Sequence, residues 1–360
     1  MKLTGAQLRA AREAAGISLT QMASRTHFSK SHLSNVENGH RAVTPDVVLA
    51  YERALGEDVD RRGLLAGVAA SVVAPAAVNE LIHKGFAAAL NGKRASVDEW
   101  VHRAEVTGTE YMSVGAGQLQ QRLAGDLVVL QQSLEAPGLW AVAGRLLTVY
   151  GKTTTNKSEA IRWYQLAAVA ADRSENTATR VWVRGRAALA LAYEGAAIPV
   201  AAQLARHALA LDDKPSLGRL NALVAQAHVA GVRGDHATAI RALEQAQRVF
   251  DVVGSSEQIS DFAVPEWRFH TFASMLLSRL GDSRAVDEQD AADRTRPASL
   301  PRFATHIELH RGLMLVKAGD TASGLAYARR AMAELPPERH SLSLRLMMTE
   351  VERSAQVCPQ

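Results

Sequence analysis

The first sixty residues contain start and stop signals for several short helices, and these signals constrain the fold more than any other feature. The starts are hydroxyl side chains that can accept a hydrogen bond from a free backbone N–H group, at Thr4, Ser18, Ser29 and Thr44. Gln21 completes a capping box with Ser18, and Pro45 takes the first position of the last helix. Glycine stops follow at Gly16, Gly39 and Gly56. These signals predict four helices, at residues 4–15, 18–25, 29–38 and 44–55.

The second and third of these helices are joined by a turn of a few residues. Ala23 is small enough to let the two helices cross closely, and Leu33 and Val36 give the third helix a buried face. His27 occupies a turn position that usually takes glycine with a positive φ, which histidine tolerates better than most residues. The pattern predicts a helix-turn-helix motif in which the third helix exposes its opposite face.

Residues 16–39, and above all the Leu-Ser-x-Val-Glu-Asn-Gly run at residues 33–39, strongly resemble the lambda-repressor-like (XRE) family of DNA-binding proteins. The resemblance covers roughly residues 8–56. It implies an all-α domain of five helices over residues 1–60 that binds double-stranded operator DNA, usually as a homodimer. It also implies a buried ion pair between Arg12 and Glu37 with a structural role. Many relatives place a phosphate-binding glutamine where this chain has Leu19, so that contact is not expected here.

The same resemblance assigns DNA contacts to the third helix and the loop after it. Base reading falls on Lys30, Ser31, Ser34 and Asn35, with His32 close enough to help. The phosphate backbone would be held by Asn38, His40 and Arg41.

Composition excludes some classes of protein but does not by itself indicate nucleic-acid binding. The chain is 47% hydrophobic and only 5% aromatic, which suits an all-helical protein with small residues between helices. Its net charge of +4 over 360 residues is too weak to argue for nucleic acid without the placement of the charges. The single cysteine, Cys358, excludes a disulfide framework and a thiolate metal site, and it fits a cytoplasmic protein.

Residues 61–78 begin with Arg61 and Arg62 and continue as an apolar run from Leu64 to Val78, a pattern that looks like a twin-arginine export signal. Such signals act at the N-terminus, whereas this segment follows a complete domain. It is also shorter than the roughly 20 residues that cross a bilayer. We therefore expect an apolar linker helix and no membrane association; an exported or membrane-attached protein is the alternative, which fractionation would test.

Residues 79–355 show helical periodicity throughout and contain similar stretches. Gly234-Asp235 precedes Ala239 and Ala246, and Gly319-Asp320 precedes Gly324 and Ala331, so that small residues recur seven positions apart. This resembles the tetratricopeptide repeat, although the copies are spaced further apart than its roughly 34 residues. The resemblance implies a helical-repeat superhelix, and an unrelated alanine-rich helical bundle is the alternative.

The repeat register predicts a concave groove lined by the first helix of each pair, which we expect to bind a ligand. Its predicted lining is basic and polar and comprises Arg145, Lys152, Arg186, Tyr193, Asn221, His228, Arg268 and His306. These side chains would suit an extended, acidic or C-terminal-carboxylate peptide. The order of domains resembles peptide-sensing regulators of Gram-positive bacteria. A small molecule, a protein partner or dimerisation alone are the alternatives.

The sequence contains parts of two enzyme motifs, but each lacks a residue that the motif requires. Gly151-Lys152-Thr153 mimics the end of a phosphate-binding loop but has Leu146 in place of the required glycine. His306 and His310 lie one helical turn apart, yet a zinc protease would need the glutamate directly after the first histidine. We therefore expect no catalysis, cofactor or metal. We expect instead a homodimeric transcription regulator whose second domain senses a peptide or small molecule. The alternative is a scaffold or antitoxin-like protein that holds a partner protein and binds DNA for autoregulation.

Overall fold

A computed structural model describes residues 17–44 and 95–357 and nine further residues, namely Gly5, Leu8, Arg9, Arg12, Asp46, Val47, Ala50, Tyr51 and Ala54. The chain divides into two units, Met1–Glu80 and Leu81–Gln360. Regular secondary structure in the described ranges is entirely helical, as predicted. The segment predicted as a linker at 61–78, with Arg61 and Arg62, lies outside the described residues, as does Cys358.

The first unit contains the described helices α1 (Leu19–Arg25) and α2 (Lys30–Glu37). The helices of the second unit are α3 (Val97–Ser113), α4 (Ala116–Leu130), α5 (Pro137–Thr153), α6 (Lys157–Arg173), α7 (Thr177–Tyr193), α8 (Ile198–Leu211), α9 (Leu217–Val232), α10 (His236–Val253), α11 (Glu266–Leu280), α12 (Ala285–Thr295), α13 (Pro301–Lys317), α14 (Thr321–Glu334) and α15 (Leu342–Val357). None of the helices in these ranges combines the length and the apolar composition that a bilayer crossing requires.

The predicted start signals Ser18 and Ser29 cap α1 and α2 as expected, the Thr44 hydroxyl accepts from the Val47 backbone N–H at 3.5 Å, and Thr4 lies outside the described residues. The Ser18 hydroxyl accepts a hydrogen bond from the Gln21 backbone, and the Gln21 side chain accepts one from the Ser18 backbone. Ser29 caps α2 through the backbone N–H of His32, and Gly39 follows the helix with φ +77°. A core of apolar side chains lies beneath these helices, formed by Leu8, Ile17, Met22, Leu33, Val36, Val47, Tyr51 and Ala54.

The second unit is a series of helix pairs joined by short turns. Contacts within pairs join α5 to α6, α7 to α8, α9 to α10, α11 to α12 and α13 to α14, while the first helices of neighbouring pairs also pack together. The predicted Gly-Asp turns lie between the two helices of a pair: Gly234 and Gly319 have positive φ, and Asp235 and Asp320 cap the following helices.

Helices α7 and α9 approach each other through a pair of glycines. A Cβ atom added to Gly185 would lie 2.2 Å from the carbonyl oxygen of Gly218, and one added to Gly218 would lie 2.6 Å from the backbone nitrogen of Trp182. Backbone cannot move aside as a flexible side chain can, so the two helices would have to separate. The small residues of this contact therefore fix the spacing between successive pairs.

We expect Gly185→Ala to lower the free energy of unfolding of the second unit by about 1–3 kcal/mol, because it overpacks this contact. Urea unfolding followed by tryptophan fluorescence measures it, since all five tryptophans lie beyond residue 95. Gly117→Ala on α4 is the matched control, because a Cβ atom there meets nothing within 4 Å. Equal stabilities of the two variants would contradict the packing argument.

Candidate nucleic-acid interface and ligand pocket

The turn between α1 and α2 is closed by a threonine side chain. Thr26 ends α1 in an extended conformation, its hydroxyl donates to the carbonyl of Met22 at 3.0 Å, and it accepts from the backbone N–H of Phe28 at 3.4 Å. The expectation of a positive φ at His27 is wrong: among the described residues other than glycine, only Glu175 and Ala197 have one. The hydrogen bonds of the Thr26 side chain close the turn, so no residue in the left-handed conformation is needed there.

Helix α2 divides sharply into a buried and an exposed face. Leu33 and Val36 are fully buried against the core of the first unit. Of the residues predicted to contact DNA, two are half-buried, His32 and Ser34, and six are exposed, Lys30, Ser31, Asn35, Asn38, His40 and Arg41. These eight residues form one polar surface, which we call the α2 face. On such a surface lysine can donate to base edges and phosphates, and serine and asparagine can donate to both and also accept from base edges.

His32 is held in one orientation on the α2 face. The ring of Phe28 stacks on it with centroids 4.9 Å apart, and Nη1 of Arg41 lies 3.0 Å from its Nδ1. Because a guanidinium has no acceptor, Nδ1 of His32 must accept this bond. In the neutral ring the proton then sits on Nε2, which makes His32 a donor toward a ligand on this face. Phe28 and Arg41 therefore position the His32 ring, a role that the sequence pattern did not indicate for either residue.

The loop after α2 is tied to the helix by backbone hydrogen bonds. The carbonyl of Asn35 accepts from the backbone N–H groups of His40 at 2.8 Å and Arg41 at 3.1 Å. The Asn38 side chain donates to the hydroxyl of Ser34 at 3.4 Å. The loop is therefore fixed beside α2, and its two basic side chains start from defined backbone positions.

A buried ion pair supports α2 from behind. Nε and Nη2 of Arg12 donate to the two carboxylate oxygens of Glu37 at 2.7 and 2.8 Å, and Nη1 donates to the carbonyl of Ile17. The hydroxyl of Tyr51 donates to Glu37 at 2.7 Å. Burial and the neighbouring Glu37 raise the pKa of Tyr51, so its hydroxyl keeps the proton that it donates. Arg12 and Glu37 thus make the contact that the resemblance implies, with Tyr51 added to it.

A pocket of the second unit, about 560 Å³ including its part open to solvent, contains five of the eight predicted ligand-binding residues. Its charged and polar lining comprises Tyr111, Lys152, Arg186, Tyr193, Glu194, Arg268, Thr271, Arg302, His306, Ser341 and Ser343. Its apolar lining comprises Leu189, Ala190, Phe272 and Phe303. We call this the cationic pocket. Its lining comes from α3, α5, α7, α11, α13 and the start of α15, so first helices of pairs dominate it.

Behind this lining, a single carboxylate forms ion pairs with three cations. Oδ1 of Asp261 accepts from Nη2 of Arg186 at 2.8 Å, from Nη2 of Arg268 at 2.6 Å and from Nζ of Lys152. Oδ2 of Asp261 is buried without a hydrogen-bond partner. Burial opposes the ionisation of Asp261, but Arg186, Lys152 and Arg268 outweigh it and hold its pKa far below the ordinary value. Asp261 is therefore ionised, and three protein cations share its Oδ1 atom.

Arg302 adds a further positive charge to the pocket. Its Nη2 donates to the carbonyl of Tyr111 at 2.7 Å, and its guanidinium lies 4.9 Å from the ring centroids of both Tyr111 and Phe303. Within the described ranges, no carboxylate lies within ion-pair distance of Arg302. The cationic pocket consequently holds more positive charge than its ionised carboxylates balance.

Glu194 ends α7 and is the acidic residue in the pocket lining. Burial raises its pKa to about 7, against the lowering effects of Lys152 and Arg186. Two histidines of the same region stay neutral: burial, with Arg302, lowers the pKa of His306 to about 3, and burial lowers that of His310 well below its ordinary value. Among groups lining the pocket, Glu194 is thus poised to gain or lose a proton near neutral pH.

His306 and His310 belong to a hydrogen-bonded network around Tyr193. The Tyr193 hydroxyl lies 3.0 Å from Nε2 of His310 and 3.4 Å from Nδ1 of His306, and Nδ1 of His310 lies 2.6 Å from the hydroxyl of Ser274. In the described part of the chain, no group of three or more potential ligands is arranged to hold a metal ion. The pair of histidines orients Tyr193 at the edge of the pocket.

The structure does not bring the other three predicted ligand-binding residues to this pocket. Arg145 lies over the rings of Trp182 and Phe262. Asn221 is buried within α9, and Nδ1 of His228 accepts from Arg279 at 2.9 Å. Asn221 and His228 occupy the interior of the helix packing, and Arg145 is half-buried.

Sequence reasoning missed Asp261, Glu194 and Arg302. Asp261 lies in the loop between α10 and α11, outside the repeat register, and its backbone N–H donates to the carbonyl of Gly108 on α3. The sequence indicated such an acid only indirectly. Several cations were predicted on neighbouring helices, and they require a buried acid because an uncompensated buried charge is very unfavourable.

Comparison with known proteins concerns the first unit alone. No curated protein and no solved structure matches the chain. Residues 4–65 match the family model described as a helix-turn-helix domain, and the α2 face lies within that range. This match supports a helix-turn-helix domain of a DNA-binding regulator at residues 4–65.

Proposed function

We propose that the protein is a sequence-specific DNA-binding transcription regulator of the lambda-repressor-like type that acts as a homodimer and whose second unit binds a signal molecule. The observation that carries the DNA-binding part is the α2 face. It presents polar and basic side chains on a helix that is anchored by buried Leu33 and Val36 and by the Arg12–Glu37 pair. One helix of eight residues reads few base pairs, which is why two copies on two half-sites are proposed.

The signal-binding part of the proposal is supported by the cationic pocket. We infer that the helix pairs are degenerate tetratricopeptide-like repeats, since Gly-Asp turns and small residues recur within them. In such repeats the first helices line a concave surface, and the first helices α5, α7, α11 and α13 contribute to the pocket here. The signal is a peptide or a small molecule that changes the affinity for the operator.

We expect the double variant Lys30→Ala and Asn35→Ala to weaken binding to specific DNA by about a hundredfold. Each good base contact is worth about 1–3 kcal/mol of discrimination. The measurement uses genomic fragments selected with the purified wild-type protein, followed by fluorescence anisotropy titration at a fixed salt concentration.

Lys157→Ala, an exposed lysine at the start of α6, is the matched control and is expected to bind these fragments as the wild type does. Both changed side chains are exposed, so the circular dichroism spectrum should stay the same. Wild-type affinity in the double variant would exclude the α2 face as the reader of DNA.

A further inference from the structure

The cationic pocket has an unbalanced charge that a ligand of opposite sign would complete. Lys152, Arg186 and Arg268 share one oxygen of Asp261, and Arg302 has no ion-pair partner in the described ranges. Glu194 is the acid of the lining, and its side chain forms no hydrogen bond with the described residues. Buried cations without matching anions are unfavourable, and an arginine fork matches a carboxylate with two parallel hydrogen bonds.

Apolar side chains share the lining of the pocket with these cations. Leu189, Phe272 and Phe303 contribute to the lining, and the Tyr111 ring centroid lies 3.8 Å from Nζ of Lys152 and 4.9 Å from the guanidinium of Arg302. The pocket combines apolar side chains with a few convergent charged groups, as small-molecule sites do. A ligand with an anionic head and a compact apolar body matches both the cations and the apolar side chains of this lining.

We propose that the cationic pocket binds a small organic carboxylate, with its head toward Arg302 and the other cations, and that Glu194 takes up a proton when the ligand binds. This proposal rests on the proposed sensing function of the second unit and names its ligand class. A second negative charge beside Glu194 disfavours the ionised form of that residue. The ligand therefore binds best when Glu194 is protonated and carries no competing charge.

The pH dependence follows from the groups that face Glu194. With a pKa of about 7, Glu194 is mostly protonated at pH 6 and mostly ionised at pH 8. If only the protonated form binds, affinity falls about tenfold over this interval. A carboxylic acid ligand stays ionised throughout it, and His306 and His310 stay neutral. Burial and Arg186 lower the pKa of Lys152, and loss of its proton at higher pH would also weaken the binding of an anion. A Glu194 variant is therefore needed to separate the effect of Glu194 from that of Lys152.

The test is isothermal titration calorimetry of the full chain, without DNA, using benzoate as the probe and benzamide as its neutral counterpart. We expect benzoate to bind about tenfold more tightly at pH 6 than at pH 8, and benzamide to bind at least about tenfold more weakly than benzoate at pH 6. Glu194→Gln should bind benzoate with nearly the same affinity at both pH values.

Arg302→Gln should weaken benzoate binding about tenfold at pH 6, because it removes the unpaired cation and leaves the Asp261 cluster intact. Arg233→Gln, an exposed arginine after α9, should bind as the wild type does. Tryptophan-monitored unfolding confirms that each variant is folded.

Failure of folded wild-type protein to bind benzoate, equal binding of benzoate and benzamide, or an unchanged pH dependence in Glu194→Gln would overturn the proposal. None of these results bears on operator binding by the α2 face, and loss of operator binding in the α2 variant leaves the calorimetry unaffected.

Discussion

Replacing Asp261 with asparagine is expected to lower the free energy of unfolding of the second unit by about 3–5 kcal/mol. The substitution keeps the shape of the side chain but removes the negative charge to which Lys152, Arg186 and Arg268 all donate. These cations come from α5, α7 and α11, so their mutual repulsion would act directly between helices that must pack together. Removing the shared anion is therefore more damaging than removing any single cation.

Urea unfolding followed by tryptophan fluorescence measures this loss, with Asp213→Asn as the control because Asp213 is an exposed aspartate between α8 and α9. The pKa of Asp261 is lowered in the folded state, so its contribution to stability is complete above the ordinary carboxyl pKa of about 3.9. It decreases as the pH falls below that value, and the difference between wild type and variant should narrow in strong acid. A loss equal to that of the control would mean that the cluster contributes no net stability.

The second large effect is expected in the first unit. Glu37→Gln should destabilise it by about 3–5 kcal/mol, since Arg12 would remain buried with a neutral partner whose amide N–H group faces a guanidinium. A domain of about sixty residues has little stability in reserve. Operator binding is expected to be lost because the domain unfolds, although Glu37 does not lie on the exposed side of α2.

Two spectroscopic signals separate this effect from the first. All five tryptophans lie beyond residue 95, so tryptophan fluorescence should report an unchanged transition in Glu37→Gln. Circular dichroism at the helix band should instead show an earlier loss of part of the helical signal. Tyr51→Phe is the graded control: it removes one hydrogen bond to Glu37 and should be milder, about 1–3 kcal/mol. Equal effects of the two substitutions would show that the charge of Glu37 adds nothing to the hydrogen bond.

Much of the first unit follows from local rules. Ser18 and Ser29 cap α1 and α2 because hydroxyl groups next to helix starts satisfy backbone N–H groups within a few residues. The wrong expectation at His27 has a local cause as well. The turn is closed by the Thr26 hydroxyl, an alternative that residue type alone does not distinguish from a left-handed residue.

By itself, the sequence determined the helical class, the helix starts at Ser18 and Ser29, the Gly-Asp turns and the polar side of α2, because each depends on residues within one or two helical turns. Only the tertiary structure decided the composition of the cationic pocket. Asp261 meets Lys152 across 109 residues and Arg186 across 75, and Arg302 donates to a carbonyl 191 residues away. Such charges shape a site only after the helices pack, because their interaction depends on distance and burial and not on spacing along the chain.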